Sequence, residues 1–253
     1  MIKFNFLAIV FILTFCSCNN NDDDTEILKN KWLFLPNTSN ECANFIEVGD
    51  LDVAGDELTI EAKFIKITDG NYCTPTKYPN TYDVISKHYN QSNVNYLLRS
   101  NYAQITTTDG FYTTNKTAIE IDHNKSYHIA MVYGGGYLKF YLDGLVRDSV
   151  AATGQIITND LHARIGQWAG DYLDDRSTQF FGYIDELRIW NVARSKSSLM
   201  ASISSSIKNP QEEEGLVAYY TFEEGYKNIQ GNSLYDGITG GEPVIKYSET
   251  SVE

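Results

Sequence analysis

Between Tyr127 and Val150 the chain reads YHIAMVYGGGYLKFYLDGLVRDSV, with apolar and polar residues alternating at a period of two around two glycine-bearing turns. That period sends successive side chains to opposite faces of an extended strand, which commits the segment to half-buried β structure. Leu138, Phe140 and Leu142 alternate with Lys139, Tyr141 and Asp143. The Asp143-Gly144 pair that follows is a two-residue hairpin signal, because both turn positions need φ > 0. Three antiparallel strands are therefore expected, joined at Gly134-Gly135-Gly136 and at Asp143-Gly144.

Short alternating segments bounded by Gly, Asn and Asp recur along the chain, the pattern of an all-β sandwich or barrel. Further strands are expected at about 44–49, 58–67, 82–88, 94–100, 103–107, 161–167, 180–190 and 215–222. A short helix is expected after Asn191, with Ser195 capping Lys196 to Ser202. No internal repeat or mid-chain linker is visible, so residues 27–225 read as one domain and residues 226–253 as a Gly-rich C-terminal wrap or tail. A hydrophobic content of 42% suffices for a core, and a net charge of −13 with no local basic patch excludes a nucleic-acid partner.

Residues 1–17 read as a signal peptide: Lys3, an apolar stretch from Phe4 to Phe15, then small residues at a cysteine. The segment resembles a bacterial lipoprotein signal, which makes Cys18, preceded by the small Ser17, the lipid anchor, with Cys16 as the lesser alternative. Residues 18–26 then form an acidic tether around NNNDDD. It is similar to the tethers of surface-exposed lipoproteins in the Bacteroidetes group and implies an outer-membrane, cell-surface location; a solvated linker retained in the periplasm is the other reading. That processing leaves Cys42 and Cys73, an even pair in an oxidising compartment, to form a disulfide or stand as two free thiols. No CxxC or HxxxH spacing points to zinc.

The strings ELTIEAKF (57–64), SYHIAMVYGGGYLKFYLDG (126–144), ARIGQ (163–167), FFGYIDELRIWNVARS (180–195) and GLVAYYTFEEG (215–225) resemble the laminin-G/pentraxin-like branch of the concanavalin A-like lectin/glucanase superfamily. The resemblance implies a jelly-roll sandwich of two antiparallel sheets with one short helix. It also implies a calcium loop: Asp171, Asp174, Asp175 and Gln179 fall near its ligand positions, with Asn93 as a cross-sheet partner. Trp168 and Ala169 stand where the family carries acid and amide ligands. Carboxylates at short spacing in a loop suit a hard cation, but an acidic solvated loop has the same composition. Aromatics on or beside loops supply candidate glycan platforms, here Trp168, Tyr172, Tyr96 and Tyr112.

Catalysis has little support. Glucan-cleaving relatives use an E-x-D-x-E strand; Glu120-Ile121-Asp122-His123-Asn124 lacks the last acid, and no Gly-x-Ser-x-Gly elbow occurs. Asp185 shares phase with Leu187 and Ile189, opposite Ile184, Glu186, Arg188 and Trp190, so an acid is expected among apolar residues on either face. The expectation is a non-catalytic, lectin-like surface lipoprotein that binds glycan for polysaccharide capture or uptake. The alternative is an interaction subunit of an outer-membrane barrel complex, and a glycoside hydrolase is third.

Overall fold

The computed structural model describes residues 30–36, 44–67, 82–114, 119–170 and 178–247. In chain order its strands are β1 (Lys31–Leu35), β2 (Phe45–Glu47), β3 (Leu58–Lys66), β4 (Asp83–His88), β5 (Val94–Arg99), β6 (Ala103–Thr107) and β7 (Gly110–Thr113). Then come β8 (Ser126–Gly134), β9 (Tyr137–Leu142), β10 (Leu145–Ala151), β11 (Arg164–Ile165), β12 (Gly182–Trp190), β13 (Leu216–Tyr220), β14 (Ile238–Gly240) and β15 (Val244–Tyr247). The helix α1 spans Lys196–Ser204, and its Ser195 side chain accepts the Ser198 backbone N–H as a cap.

One sheet runs β10-β9-β8-β3-β12-β1-β15, with β13 also paired to β12, and the other runs β14-β2-β11-β4-β5-β6-β7. Their strand pairings are antiparallel, and the whole is the expected all-β jelly-roll sandwich. Leu33, Ile60, Phe64, Ile129, Phe140 and Ile189 from the first sheet meet Ile46, Ile85, Tyr96, Leu98 and Ile105 from the second in a single core. Full burial of each such side chain contributes roughly 1.5–3 kcal/mol. Both glycine turns close as expected: Gly135 and Gly136 take φ of +58° and +83°, Asp143 and Gly144 +49° and +72°.

Four strands lie outside the expected set. β1 is a short apolar run without alternation, β7 is a half-buried edge, and β14 and β15 are largely exposed and so carry no period-two signal. The C-terminal segment is thus a wrap that adds one strand to each sheet along the same side of the sandwich. The strand expected at 161–167 shrinks to two residues, because the chain turns at Gly166 with φ of +86°.

One end of the sandwich is closed by an internal cation. Lys87, at the end of β4, is fully buried, and its ammonium donates to Asp50 Oδ1 at 2.7 Å, Asn159 Oδ1 at 3.1 Å, and the carbonyls of Asn159 and Leu161 at 2.6 Å each. Asp52 Oδ1 lies 3.0 Å away. Two loops distant in sequence, 50–52 and 159–161, are joined through this one atom. Replacing Lys87 with Met leaves those oxygens facing one another, and is expected to lower unfolding stability by about 3 kcal/mol. Urea denaturation near neutral pH measures it; a loss below about 1 kcal/mol contradicts the clamp.

Candidate functional site

The outer face of the second sheet is set by β4 and β11. Ile85 and Ile165 pair with each other and enter the core, so their paired neighbours Ser86 and Arg164 point outward. His88 lies on the same face, with Nδ1 2.6 Å from Ser86 Oγ. Ser86 Oγ also accepts the Ala169 backbone N–H at 3.3 Å, which ties His88, Ser86 and the segment after β11 into one polar contact whose Ser86–His88 direction follows the ring tautomer. Burial, and then the charge of Arg99, hold His88 well below the ordinary imidazole range, which keeps the ring neutral at neutral pH.

Trp168 reaches this face from the segment after β11. Its ring centre is 5.7 Å from that of His88 and 6.3 Å from that of Tyr89, on which it stacks at 29°. Trp168 is 7% exposed and Tyr89 37%, so Tyr89 is the more accessible of the two rings. A Cβ at Gly170 would stand 2.6 Å from Trp168 Cζ2, which restricts that position to glycine. Trp168 Nε1–H is buried without an acceptor among the described residues. His88, Tyr89 and Trp168 thus form one aromatic cluster.

The other expected platforms are elsewhere. Tyr96 is fully buried in the core and donates its hydroxyl to the Leu51 carbonyl at 2.8 Å, so it has no ring face for a ligand. Tyr112 pairs with the core residue Ile105 and packs on the inner side of β7, away from Trp168. Tyr172 lies outside the described residues, as do Asp171, Asp174, Asp175, Cys18, Cys42 and Cys73. Tyr89 and His88 were missed; their signal is an aromatic pair just ahead of the Asn90 turn.

Of the expected metal donors, the two that are described, Gln179 and Asn93, do not converge. Gln179 bridges Asp83 at the start of β4, whereas Asn93 precedes Val94, the partner of His88 at its end. A six-residue strand puts those ends roughly 17 Å apart. Gln179 Oε1 accepts the Asn44 N–H at 3.4 Å, and neighbouring Asp83 is met by Arg99 and by Thr178 Oγ1 at 2.6 Å. No three His, Cys, Asp or Glu side chains cluster as a metal site among the described residues. Gln179 and Asn93 therefore do not share one cation site, and Asp171, Asp174 and Asp175 lie outside the described residues. Glu120 and Asp122 are exposed beside the buried Ile119 and Ile121, and Asp122 Oδ2 accepts the Tyr127 hydroxyl at 2.8 Å.

The outer face of the first sheet lies under α1 and holds a network of buried charge. Glu61 Oε1 accepts Trp190 Nε1–H at 3.1 Å and an N–H of Arg194, and Oε2 accepts His128 Nε2–H at 3.1 Å. Burial raises its carboxyl, but the His128 hydrogen bond and the charges of Arg188 and Arg194 outweigh it and hold the group below its ordinary range. Arg188, fully buried, pairs with Glu186 and donates to the carbonyls of Ser202 at 3.3 Å and Ser205 at 2.9 Å, at the C-terminal end of α1. Glu186 takes φ of +52° at a bulge where β12 changes phase. Ile184 therefore joins Leu187 and Ile189 in the core, and Asp185 turns to the outer face, opposite to the uninterrupted alternation expected from sequence. Asp185 Oδ1 is buried with no partner. Burial, then the charge of Glu186, push its carboxyl up to about 8.

A laminin G family model, described as the concanavalin A-like lectin/glucanases superfamily, matches residues 41–199. A candidate carbohydrate-binding protein from Bacteroides ovatus has the same fold at 18% identity and a TM-score of 0.63, over 87% of this chain and 60% of that one. The chain therefore spans about 60% of that protein's length. A heptameric SAP-like pentraxin from Limulus polyphemus matches at 16% identity and a TM-score of 0.57, over 87% of this chain and 96% of the pentraxin. No curated protein sequence matches the chain.

Asp185 gives a pH dependence with a defined sign. Its folded carboxyl stays protonated up to about pH 8 while the unfolded one ionises near the ordinary carboxyl value of 3.8, so between those limits the native state holds the extra proton. This group's contribution to stability is therefore full below about pH 4 and falls as pH rises, by about 1.4 kcal/mol per unit, until about pH 8. Asp185→Asn is expected to flatten that fall and raise the urea midpoint at pH 8.5, with little change at pH 4. A variant whose midpoint tracks the parent at both pH values contradicts the assignment.

Proposed function

The chain belongs to the laminin G group of the concanavalin A-like lectin/glucanases superfamily, and from that premise we propose that it is a non-catalytic glycan-binding protein reading its ligand around Tyr89 and Trp168. The fold admits lectins, enzymes and scaffolds alike, so the site must carry the reading. The single supporting observation is a Tyr89 ring that is 37% exposed and stacks on Trp168 beside a neutral His88. A sugar ring offers an apolar C–H face to the tyrosine. Because His88 is neutral, the cluster adds no charge and suits an uncharged sugar unit.

The same proposal places the protein at the outer membrane, anchored through lipid on Cys18 and facing outward on the acidic tether. Its role there is to capture polysaccharide for uptake. What supports this placement is the order of residues 1–24, an apolar leader, a cysteine and then NNNDDD. Calcium has a place in the reading only through Asp171, Asp174 and Asp175. A second reading, an interaction subunit docked on a membrane barrel, is favoured by one patch. Leu145, Val146 and Met200 are 51%, 48% and 47% exposed, and a Cβ on the intervening Gly144 would meet Met200 Sδ at 2.1 Å.

A glycan array on the chain from residue 19 onward, with calcium and with chelator, followed by calorimetry on the best neutral glycan, tests the first reading. Tyr89→Ala is expected to weaken binding about tenfold, or ~1.4 kcal/mol, without changing the melting temperature. Failure to bind any glycan, together with co-purification of a barrel from native outer membranes, overturns it in favour of the second.

A further inference from the structure

A cavity of about 330 Å³ opens at the far face of the molecule, beside the C-terminal end of α1. Arg194, Ser205, Ser206, Lys208, Asn209 and Glu213 are among the residues that line it. Arg194 is held from three directions. Its Nη1 donates to the Glu61 carboxylate and to Ser202 Oγ at 2.7 Å, its guanidinium lies 4.1 Å over the Trp190 ring, and its backbone N–H donates to Thr59 Oγ1 at 2.9 Å. Nε and Nη2 make no hydrogen bond among the described residues, and the side chain keeps 17% of its surface exposed. The result is a fixed donor fork with one edge open.

The rest of the lining completes a pattern. Lys208 is exposed and forms no ion pair among the described residues. Ser205 Oγ–H is spent on the Ala201 carbonyl at 2.7 Å and Ser206 Oγ–H on Glu186 Oε1 at 2.6 Å, so both hydroxyl oxygens can only accept. Glu213 is a third acceptor. The cavity therefore presents two cations and several acceptors of O–H donors, in a chain whose net charge is −13.

We propose that this cavity binds a monosaccharide unit bearing a carboxylate, that is, a uronate residue of an acidic glycan. The planar carboxylate matches the open Arg194 fork in bidentate fashion, with Lys208 as the second cation. Its ring hydroxyls donate to Ser205, Ser206 and Glu213, and Asn209 supplies an amide. Glu213 opposes a phosphate dianion, and a bare carboxylate leaves the acceptors unused. The volume is of the size that takes a small ligand. The site extends the glycan-binding reading to a second place on the molecule and is independent of Tyr89 and Trp168.

Calorimetric titration of the chain from residue 19 onward with methyl glucuronide, methyl galacturonide, methyl glucoside and acetate tests it. One of the uronides is expected to bind at least tenfold more tightly than the glucoside and acetate. Lys208→Glu is expected to weaken it at least tenfold with the melting temperature unchanged, and Tyr89→Ala to leave it unaltered. Equal affinity for the glucoside and both uronides, acetate binding as tightly as the tighter uronide, or a Lys208→Glu variant that binds like the parent each overturns the proposal. Loss of binding in Tyr89→Ala but not in Lys208→Glu assigns the uronide to the other face and overturns it too. Failure of the neutral-glycan site alone leaves these outcomes intact.

Discussion

A carboxylate buried under α1 governs one whole side of this molecule. Glu61 is fully removed from water, and an isolated charge there would be far too costly to keep. It persists because His128, Trp190, Arg194 and Ser202 all converge on its two oxygens. Those donors come from β8, β12, the segment after it, and α1, so meeting one charge fixes the helix against the sheet. The apolar contact of Leu199 with Ala130, Val132 and Tyr141 adds to the docking but does not orient it. The same bonds immobilise Arg194 and leave its other edge toward the cavity, so a structural constraint produces a preorganised donor.

The two outer faces therefore differ in kind. Around Glu61 the chemistry is ionic and paired, with Lys208 and Glu213 adding one charge of each sign at the cavity rim. Around Trp168 it is aromatic, and His88 is kept neutral by burial and by Arg99. The surface of a sandwich is a natural place for such division, because each sheet shares one face with the core and leaves the other to local sequence.

What was legible in the sequence was what depends on near neighbours. Asp143-Gly144 and Gly135-Gly136 encode their turns in two residues, and Ser195 encodes the start of α1. The bulge at Glu186 was hidden, because it arises where β12 changes partner from β1 to β13, segments far apart in the chain. That single inserted residue reverses the phase on which the placement of Asp185 depended. Tyr96 was misread for a related reason: every residue of β5 is buried, so alternation could not say which face met the core. Gln179 and Asn93 are separated by register along β4, which no spacing in sequence reveals. Trp168, expected on or beside a loop, is nearly buried, and the more exposed ring belongs to Tyr89, just past the end of β4.

The central claim is that ligand recognition is centred on Trp168 and Tyr89. Its three tryptophans, Trp32, Trp168 and Trp190, give three indole N–H resonances that single Trp→Phe variants assign. In a ¹⁵N-resolved titration with a bound neutral glycan, the Trp168 resonance shifts and the other two stay in place. A titration in which Trp168 is silent while saturation is reached, with shifts confined to backbone amides of the 143–146 hairpin, would contradict the account.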